Sequence, residues 1–315
     1  MLRAGALLGL LPGLMTVLPA CSAPFAGRRL VLATGAIQGV YYNLGTALAQ
    51  LWQHDLGLDV APEVRSTAGS VDNLLQLDAG KADVAISQID AAARQLTRLA
   101  ADDPRSPRAL ARIYDDVVHL VVPAASPVTT PAQLRGLRVS TGAPESGVSL
   151  VAQRMLEVTG LVAGTDLSAE HLGITESADA LRAGRLDAFF WVGGLPTQGI
   201  TDLAAAMPIR LVDLETIIGP ARTAYPEYAA VTVPAMSYGM PEPITSLRVR
   251  NVLLVTADMP DDLAGALAGS LLRGQETLAQ TSPAALTIDP RSAIGTQPVP
   301  LHPGAEAFYR ANKDD

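Results

Sequence analysis

The chain has 315 residues, 49% of them hydrophobic and 17% charged, with a formal net charge of −8. That length suits one large or two medium domains with a real core, and the acidic balance leaves no electrostatic footprint for nucleic acid. The single cysteine, Cys21, excludes an intrachain disulfide and a multi-thiolate metal site, and the four histidines lack zinc spacing. Neither a metal nor a cofactor is expected.

Arg3 precedes an apolar stretch from Ala4 to Leu18, the length of a signal-peptide core and short for a membrane span. Leu18-Pro19-Ala20-Cys21 resembles the lipobox of bacterial lipoproteins, in which the cysteine becomes the lipidated first residue. The expectation is a signal peptide over 1–21, a lipid anchor at Cys21 and a tether over 22–28. Plain secretion into the periplasm or medium is the alternative.

After Arg28, short apolar runs alternate with amphipathic stretches, which argues for an α/β protein with mainly parallel sheets. Strands are expected near 30–34, 58–64, 83–87, 117–123, 137–140, 187–192, 209–213 and 249–256. Helices are expected near 41–54, 70–79, 88–99, 146–159, 176–183, 196–206, 260–280 and 303–311. Leu77–Ile86 and Leu181–Phe190 echo each other: a helix end, a glycine, a basic residue, then an Asp-led strand. An echo at one domain length suggests two lobes of similar build. The apolar run Val117–Val122, followed by Pro123–Pro127, reads as one passage between them, and Pro234, Pro241 and Pro243 mark a second within 232–250. The first lobe is then discontinuous, 29–121 plus 250–315, and the second spans 122–249.

Four helix starts follow strand ends, where open α/β sheets bind ligands. Gly35–Asn43 leads into the first helix. Ser66–Asn73 leads into another, with Ser70 suited to the N-cap and Asn73 to its third helical position. Ser140–Ser149, with Thr141, Ser146 and Gly147, and Trp191–Thr197, with Gly194 and with Pro196 suited to N1, repeat the pattern. Gln88 and Asp90 end the third strand; Asp90 either takes an ammonium group or caps the next helix. Trp191 is either a lid or core. Backbone N–H groups, hydroxyls and amides around a cleft favour a small carboxylate. No nucleophile stands beside a base, and Asp102-Asp103, Asp115-Asp116 and Asp261-Asp262 read as solvated turns or helix starts. Binding is favoured over catalysis.

The segments G-x-Y-Y-x-L-G (39–45), T-x-G-S-V-x-N-L (67–74), S-T-G-A-P-x-S-G (140–147), G-x-x-D-A-F-F (184–190), G-x-P-T (194–197), V-P-A-x-x-Y (233–238) and P-L-H-P-G-A-E-x-F-Y (300–309) occur in order. Together they resemble the TAXI family of TRAP-transporter solute receptors. The resemblance implies a two-lobed type II periplasmic-binding-protein fold, each lobe a mainly parallel sheet flanked by helices, with the ligand cleft between lobes. It implies delivery of a small organic anion or amino acid, such as glutamate, glutamine or a 2-oxo dicarboxylate, to a TRAP permease. It also implies that Gly39, Tyr41, Tyr42, Asn73, Ser146 and Gly147 contact the ligand. Val40 stands where relatives commonly carry threonine, with Gln38 as a substitute for the hydroxyl, and Ala68 where glycine is frequent. Two other readings remain: a ligand sensor for a membrane histidine kinase, and an enzyme on the same fold resembling a thiamine-precursor synthase.

Overall fold

A computed structural model describes residues 24–37, 39–100 and 102–313. The expected signal peptide, the lipid anchor expected at Cys21, and Gln38 lie outside the described residues. The first half begins with β1 (Val31–Ala33), α1 (Val40–Leu56), β2 (Glu63–Arg65), α2 (Ser70–Asp78), β3 (Val84–Gln88) and α3 (Ile89–Leu96). The long strand β4 (Pro107–Pro123) leads out of it into β5 (Arg138–Ser140), α4 (Gly147–Val158), β6 (Ser168–Glu170), α5 (Ile174–Arg182) and β7 (Ala188–Gly193). Then come α6 (Gln198–Ala206), β8 (Ile209–Leu211), α7 (Glu215–Ala224) and β9 (Ala229–Val233). A second long strand, β10 (Ile244–Thr256), returns to α8 (Asp261–Arg273), α9 (Gln275–Thr281), α10 (Pro290–Ala293) and α11 (Pro303–Ala311).

Among the described residues the ten strands form one sheet, in the order β2-β1-β3-β10-β4-β7-β5-β6, with β8 beside β4 and β9 beside β10. The parallel pairs are confined to two triplets, β2-β1-β3 and β6-β5-β7, as the strand–helix alternation predicts. Between the triplets run β4 and β10, antiparallel to each other from Arg248↔Val117 to Thr256↔Pro107. They belong to both halves: β10 pairs with β3 and β9, and β4 with β7 and β8.

Several boundaries differ from expectation, for physical reasons. β4 starts at Pro107, before the apolar run, because Arg108, Arg112, Asp115 and Asp116 masked its first half. Of the two expected passages, β4 takes up 117–123 of the first and β10 takes up 244–250 of the second. Helix α7 was not expected because Gly219-Pro220 breaks the pattern; Pro220 sits inside it and gives up one backbone bond to Thr216. The expected helix over 260–280 divides at Gly274. Strands β6 and β9 are short and carry few large apolar residues.

Three apolar clusters hold the sheet. Helices α1, α8 and α9 bury Leu48, Trp52, Leu267 and Leu278 against Ile86 and Leu253. Helices α5 and α6 bury Leu181, Ile200 and Leu203 against Phe189. The third cluster joins the halves, with Leu74, Leu77 and Ile89 from one side and Val148, Val151 and Met155 from the other. Each such side chain contributes about 2 kcal/mol on burial, so this seam favours a shut arrangement.

The echo is a true structural repeat. Gly80 and Gly184 adopt left-handed conformations with φ of 66° and 67°. Lys81 N and Arg185 N each return 2.8 Å bonds to the helix, to Gln76 O and Ala180 O. Asp83 Oδ2 accepts from Val31 N at 2.8 Å, and Asp187 Oδ2 accepts from Arg138 N at 2.8 Å. Each aspartate therefore fastens its strand to the parallel neighbour, β3 to β1 and β7 to β5. Asp83→Ala is expected to lower stability by about 1 kcal/mol, and Asp187→Ala by a similar amount. Urea melts should show lower midpoints with unchanged slopes; midpoints equal to wild type would show the carboxylates to be merely solvated.

Candidate functional site

The carboxyl ends of β1 and β3 deliver the starts of α1 and α3 to the middle of the long strands, and the loop after β2 delivers α2. Gly39 caps α1 with extended backbone, φ −84° and ψ 160°, which aims Tyr41 inward. The Tyr41 hydroxyl donates to Asn251 Oδ1 on β10 and lies 3.1 Å from Ser70 Oγ. Ser70 Oγ in turn accepts from Gln88 N at 3.1 Å. Gln88 Nε2 donates to Asp116 Oδ2 on β4 at 3.3 Å. Tyr114 stands edge-on to Tyr41, with ring centroids 6.3 Å apart. Burial, with the nearby Asp116 charge, pushes the Tyr41 hydroxyl well above its ordinary value, so it remains a donor.

Three polar atoms of this cluster are buried with no partner among the described residues: Gln88 Oε1, Asp116 Oδ1 and Asn251 Nδ2. Such atoms are costly unless a ligand or water meets them. They offer two acceptors and one donor at one place.

The second half closes over this cluster. Ser146 caps α4 by accepting from Ser149 N at 3.0 Å and donates to Ala143 O at 2.6 Å. Asp72 N donates across the seam to Glu145 O at 3.0 Å. A Cβ on Gly147 would lie 2.1 Å from Gln88 Oε1 and 2.9 Å from Ser70 Oγ, so a side chain here must displace the Gln88 amide and the Ser70 hydroxyl. The starts of α2 and α4 thus face each other. Two positive macrodipole ends in opposition are relieved by an anion between them.

Not every expected residue joins in. The α2 cap is Gly69, with φ 119°, so Ser70 is the first helical residue and turns its hydroxyl to Tyr41 and Gln88 instead. Asn73 is consequently one position further along and is spent inside the first half. Its Nδ2 donates to Thr34 O and to Ile86 O (2.7 Å), and its Oδ1 accepts from Thr67 Oγ1 at 2.5 Å. It ties the loop ends and positions the cluster. Asp90 is also occupied, accepting from Tyr228 at 2.7 Å, from Arg154 at 3.5 Å and from Ala91 N at 2.8 Å. Arg154 carries the positive charge from α4, and its guanidinium lies 4.2 Å from the Tyr225 ring centre. This buried pair joins the halves.

Tyr42 is half-buried and is not a hydrogen-bonded member of the cluster. Thr141 Oγ1 turns to Glu170 O (3.3 Å) and His171 Nδ1 (3.1 Å). Trp191 is half-buried, pairs with His119 across the strands, and donates to Thr197 Oγ1 at 3.2 Å. Gly194 O accepts from the same Thr197 hydroxyl at 2.6 Å. Thr197, not Pro196, borders α6 as its cap.

Comparison with known proteins places this architecture. The chain belongs to the NMT1-like family. Residues 32–312 match that family's model. The fold is that of periplasmic solute-binding proteins. The periplasmic aliphatic sulphonate binding protein SsuA from Escherichia coli is 16% identical, with a TM-score of 0.51 over 90% of this chain and 83% of SsuA. A putative L-cystine ABC transporter from Listeria monocytogenes is 14% identical, with a TM-score of 0.50 over 82% of this chain and 97% of its own. A Xanthomonas citri protein determined bound to ATP is 15% identical, with a TM-score of 0.53 over 90% and 94%.

In this NMT1-like chain the residues that sequence reading missed are Asp116, Asn251 and Tyr114, all on the long strands. Asp115-Asp116, read as a polar turn, lies mid-strand, and Asp116 is 3% exposed. An acid abutting the apolar run Val117–Val122, and an asparagine between Val249 and Val252, were the available signals. Burial pushes the Asp116 carboxyl up to about 6, against the nearby Asn251 amide and the Gln88 hydrogen bond, which lower it. The folded protein therefore binds this proton more tightly than the unfolded chain. Stability of the ligand-free protein should fall as pH rises from 3.8 to about 6, by at most about 3 kcal/mol. Asp116→Asn should remove that slope and be the more stable protein at neutral pH. A wild-type stability profile as flat as the variant's would contradict the buried acid.

Proposed function

We propose that this chain is an extracytoplasmic solute receptor of the TRAP-associated TAXI type, binding a small amino acid between its halves. The observation that carries this reading is the cluster of three buried, unpartnered polar atoms under opposed helix starts. The α2 and α4 ends suit a carboxylate, while Asp116 Oδ1 and Gln88 Oε1 suit an ammonium or amide group. A zwitterion such as glutamate or glutamine satisfies both needs; a 2-oxo dicarboxylate satisfies only the first. Residues 29–121 with 250–315, and 122–249, act as the two lobes, with β4 and β10 as the hinge. Closure completes the contacts, and a TRAP permease recognises the closed form. The anchor at Cys21 keeps the receptor at the membrane. The cluster's side chains hold one another as donors and acceptors without a nucleophile–base pair, which supports binding without catalysis.

Isothermal titration of the mature chain with glutamate, glutamine and 2-oxoglutarate tests this. Glutamate or glutamine should bind more tightly than 2-oxoglutarate. Tyr41→Phe and Asn251→Ala should each weaken binding about tenfold, or about 1.4 kcal/mol. Gly147→Ala should weaken it at least as much, because its Cβ displaces the Gln88 amide and the Ser70 hydroxyl from the cluster. Affinities unchanged in all three variants would place the ligand elsewhere, and no response to any of the three acids would remove the ligand class.

A further inference from the structure

The two long strands present a second polar surface. Their register pairs Arg250 with Asp115, Arg248 with Val117, Val249 with Asp116 and Asn251 with Tyr114. Side chains alternate along a strand, so Arg248, Arg250 and Asp115 lie on the face opposite Asn251 and Asp116. On that opposite face is a cavity of about 290 Å³, lined by Arg112, Arg222, Arg248 and Arg250 together with Glu227 and Tyr228.

The charges of this cavity do not balance. Asp115 is shared between Arg112 and Arg248, each 2.7 Å away. Arg250 spends its guanidinium on the carbonyls of Gly295 and Gln297, both at 2.8 Å. Arg222 is exposed, and neither it nor Arg250 has an ion-pair partner among the described residues. Glu227 leans towards Arg154, 3.7 Å away, and keeps Oε2 buried without a partner. Burial first, then the like charge of Arg112, pull the Arg250 guanidinium below its ordinary value. In a chain of net charge −8, four guanidinium groups around two carboxylates leave this spot net positive.

We propose that this cavity is a second binding site, distinct from the cleft, for a small multiply charged oxyanion of the phosphate class. Guanidinium forks match tetrahedral oxyanions and hold them by paired, charge-assisted hydrogen bonds. Arg222 reaches the site from α7, while Arg112, Arg248 and Arg250 stand on the crossing strands. A bound anion therefore fastens the 222–229 segment to those strands. Recessed between the two, the site takes a free ion.

Inorganic phosphate titrated into the mature chain at constant ionic strength, against chloride, is the test. Wild type should bind with a dissociation constant of about 1 mM or tighter. Arg222→Gln and Arg248→Gln should each weaken phosphate at least about fivefold. Arg185→Gln, at the exposed turn before β7, and Tyr41→Phe, in the cleft, should bind phosphate as wild type does. The two arginine variants should retain wild-type glutamate affinity, so failure of this site and failure of the cleft reading are told apart. Phosphate indistinguishable from chloride, or unaffected by both arginine variants, overturns the proposal. So does loss of phosphate in Tyr41→Phe, which puts the ion in the cleft. Binding to anionic phospholipid vesicles without binding of free phosphate also overturns it, because the source is then a lipid surface.

Discussion

The pairing of β4 with β10 is the constraint on which the rest of this structure depends. Two antiparallel strands run the breadth of the sheet and fix, by register alone, which side chains meet at its centre. Because their residues alternate, one face receives Asn251, Asp116 and Tyr114, and the other receives Arg248, Arg250 and Asp115. The parallel triplets on either side add what the long strands lack: helix starts pointing at that centre. Neither contribution makes a site alone. A helix start without the strand side chains has no floor, and the floor without helix starts has no positive field.

Electrostatics at the seam supports the proposed ligand between the halves. The α2 and α4 ends approach closely enough for Asp72 N to bond Glu145 O, so two positive ends converge. One charge that crosses the seam, Arg154, is answered by Asp90 and Tyr228 and leaves nothing over for a ligand. Asp116 is the acid not so answered, with one oxygen unpartnered and its carboxyl held up to about 6 by burial. The apolar seam of Leu74, Leu77, Val148 and Val151 favours closure whatever lies within. The polar centre sets what must accompany it.

Much of this was legible in the residues. The strand–helix alternation, the Leu77–Ile86 and Leu181–Phe190 echo, and the helix starts, expected at 41, 70 and 146 and found at 40, 70 and 147, follow from local chemistry, which the sequence carries directly. What was hidden is non-local. Asp115-Asp116 looks like a turn until β10 pairs with it, and only that pairing shows that the two acids face opposite ways. Asn73 reads as a helix-start amide because nothing local shows that β1 and β3 end beside it and take its donors. Ser70 reads as a cap, yet Gly69 can adopt φ 119°, which frees the serine hydroxyl for Tyr41. Helix α7 was masked by Gly219-Pro220, where tertiary packing of Ile217, Ile218 and Ala221 outweighs poor propensity.

Native mass spectrometry of the mature chain, with glutamate supplied in excess and then exchanged away, asks whether the cleft holds an amino acid. A one-to-one complex with unaltered glutamate is expected, held more tightly by wild type than by a chain carrying Asn251→Ala. A chain that stays at its bare mass under these conditions, or that releases the acid chemically changed, would contradict it.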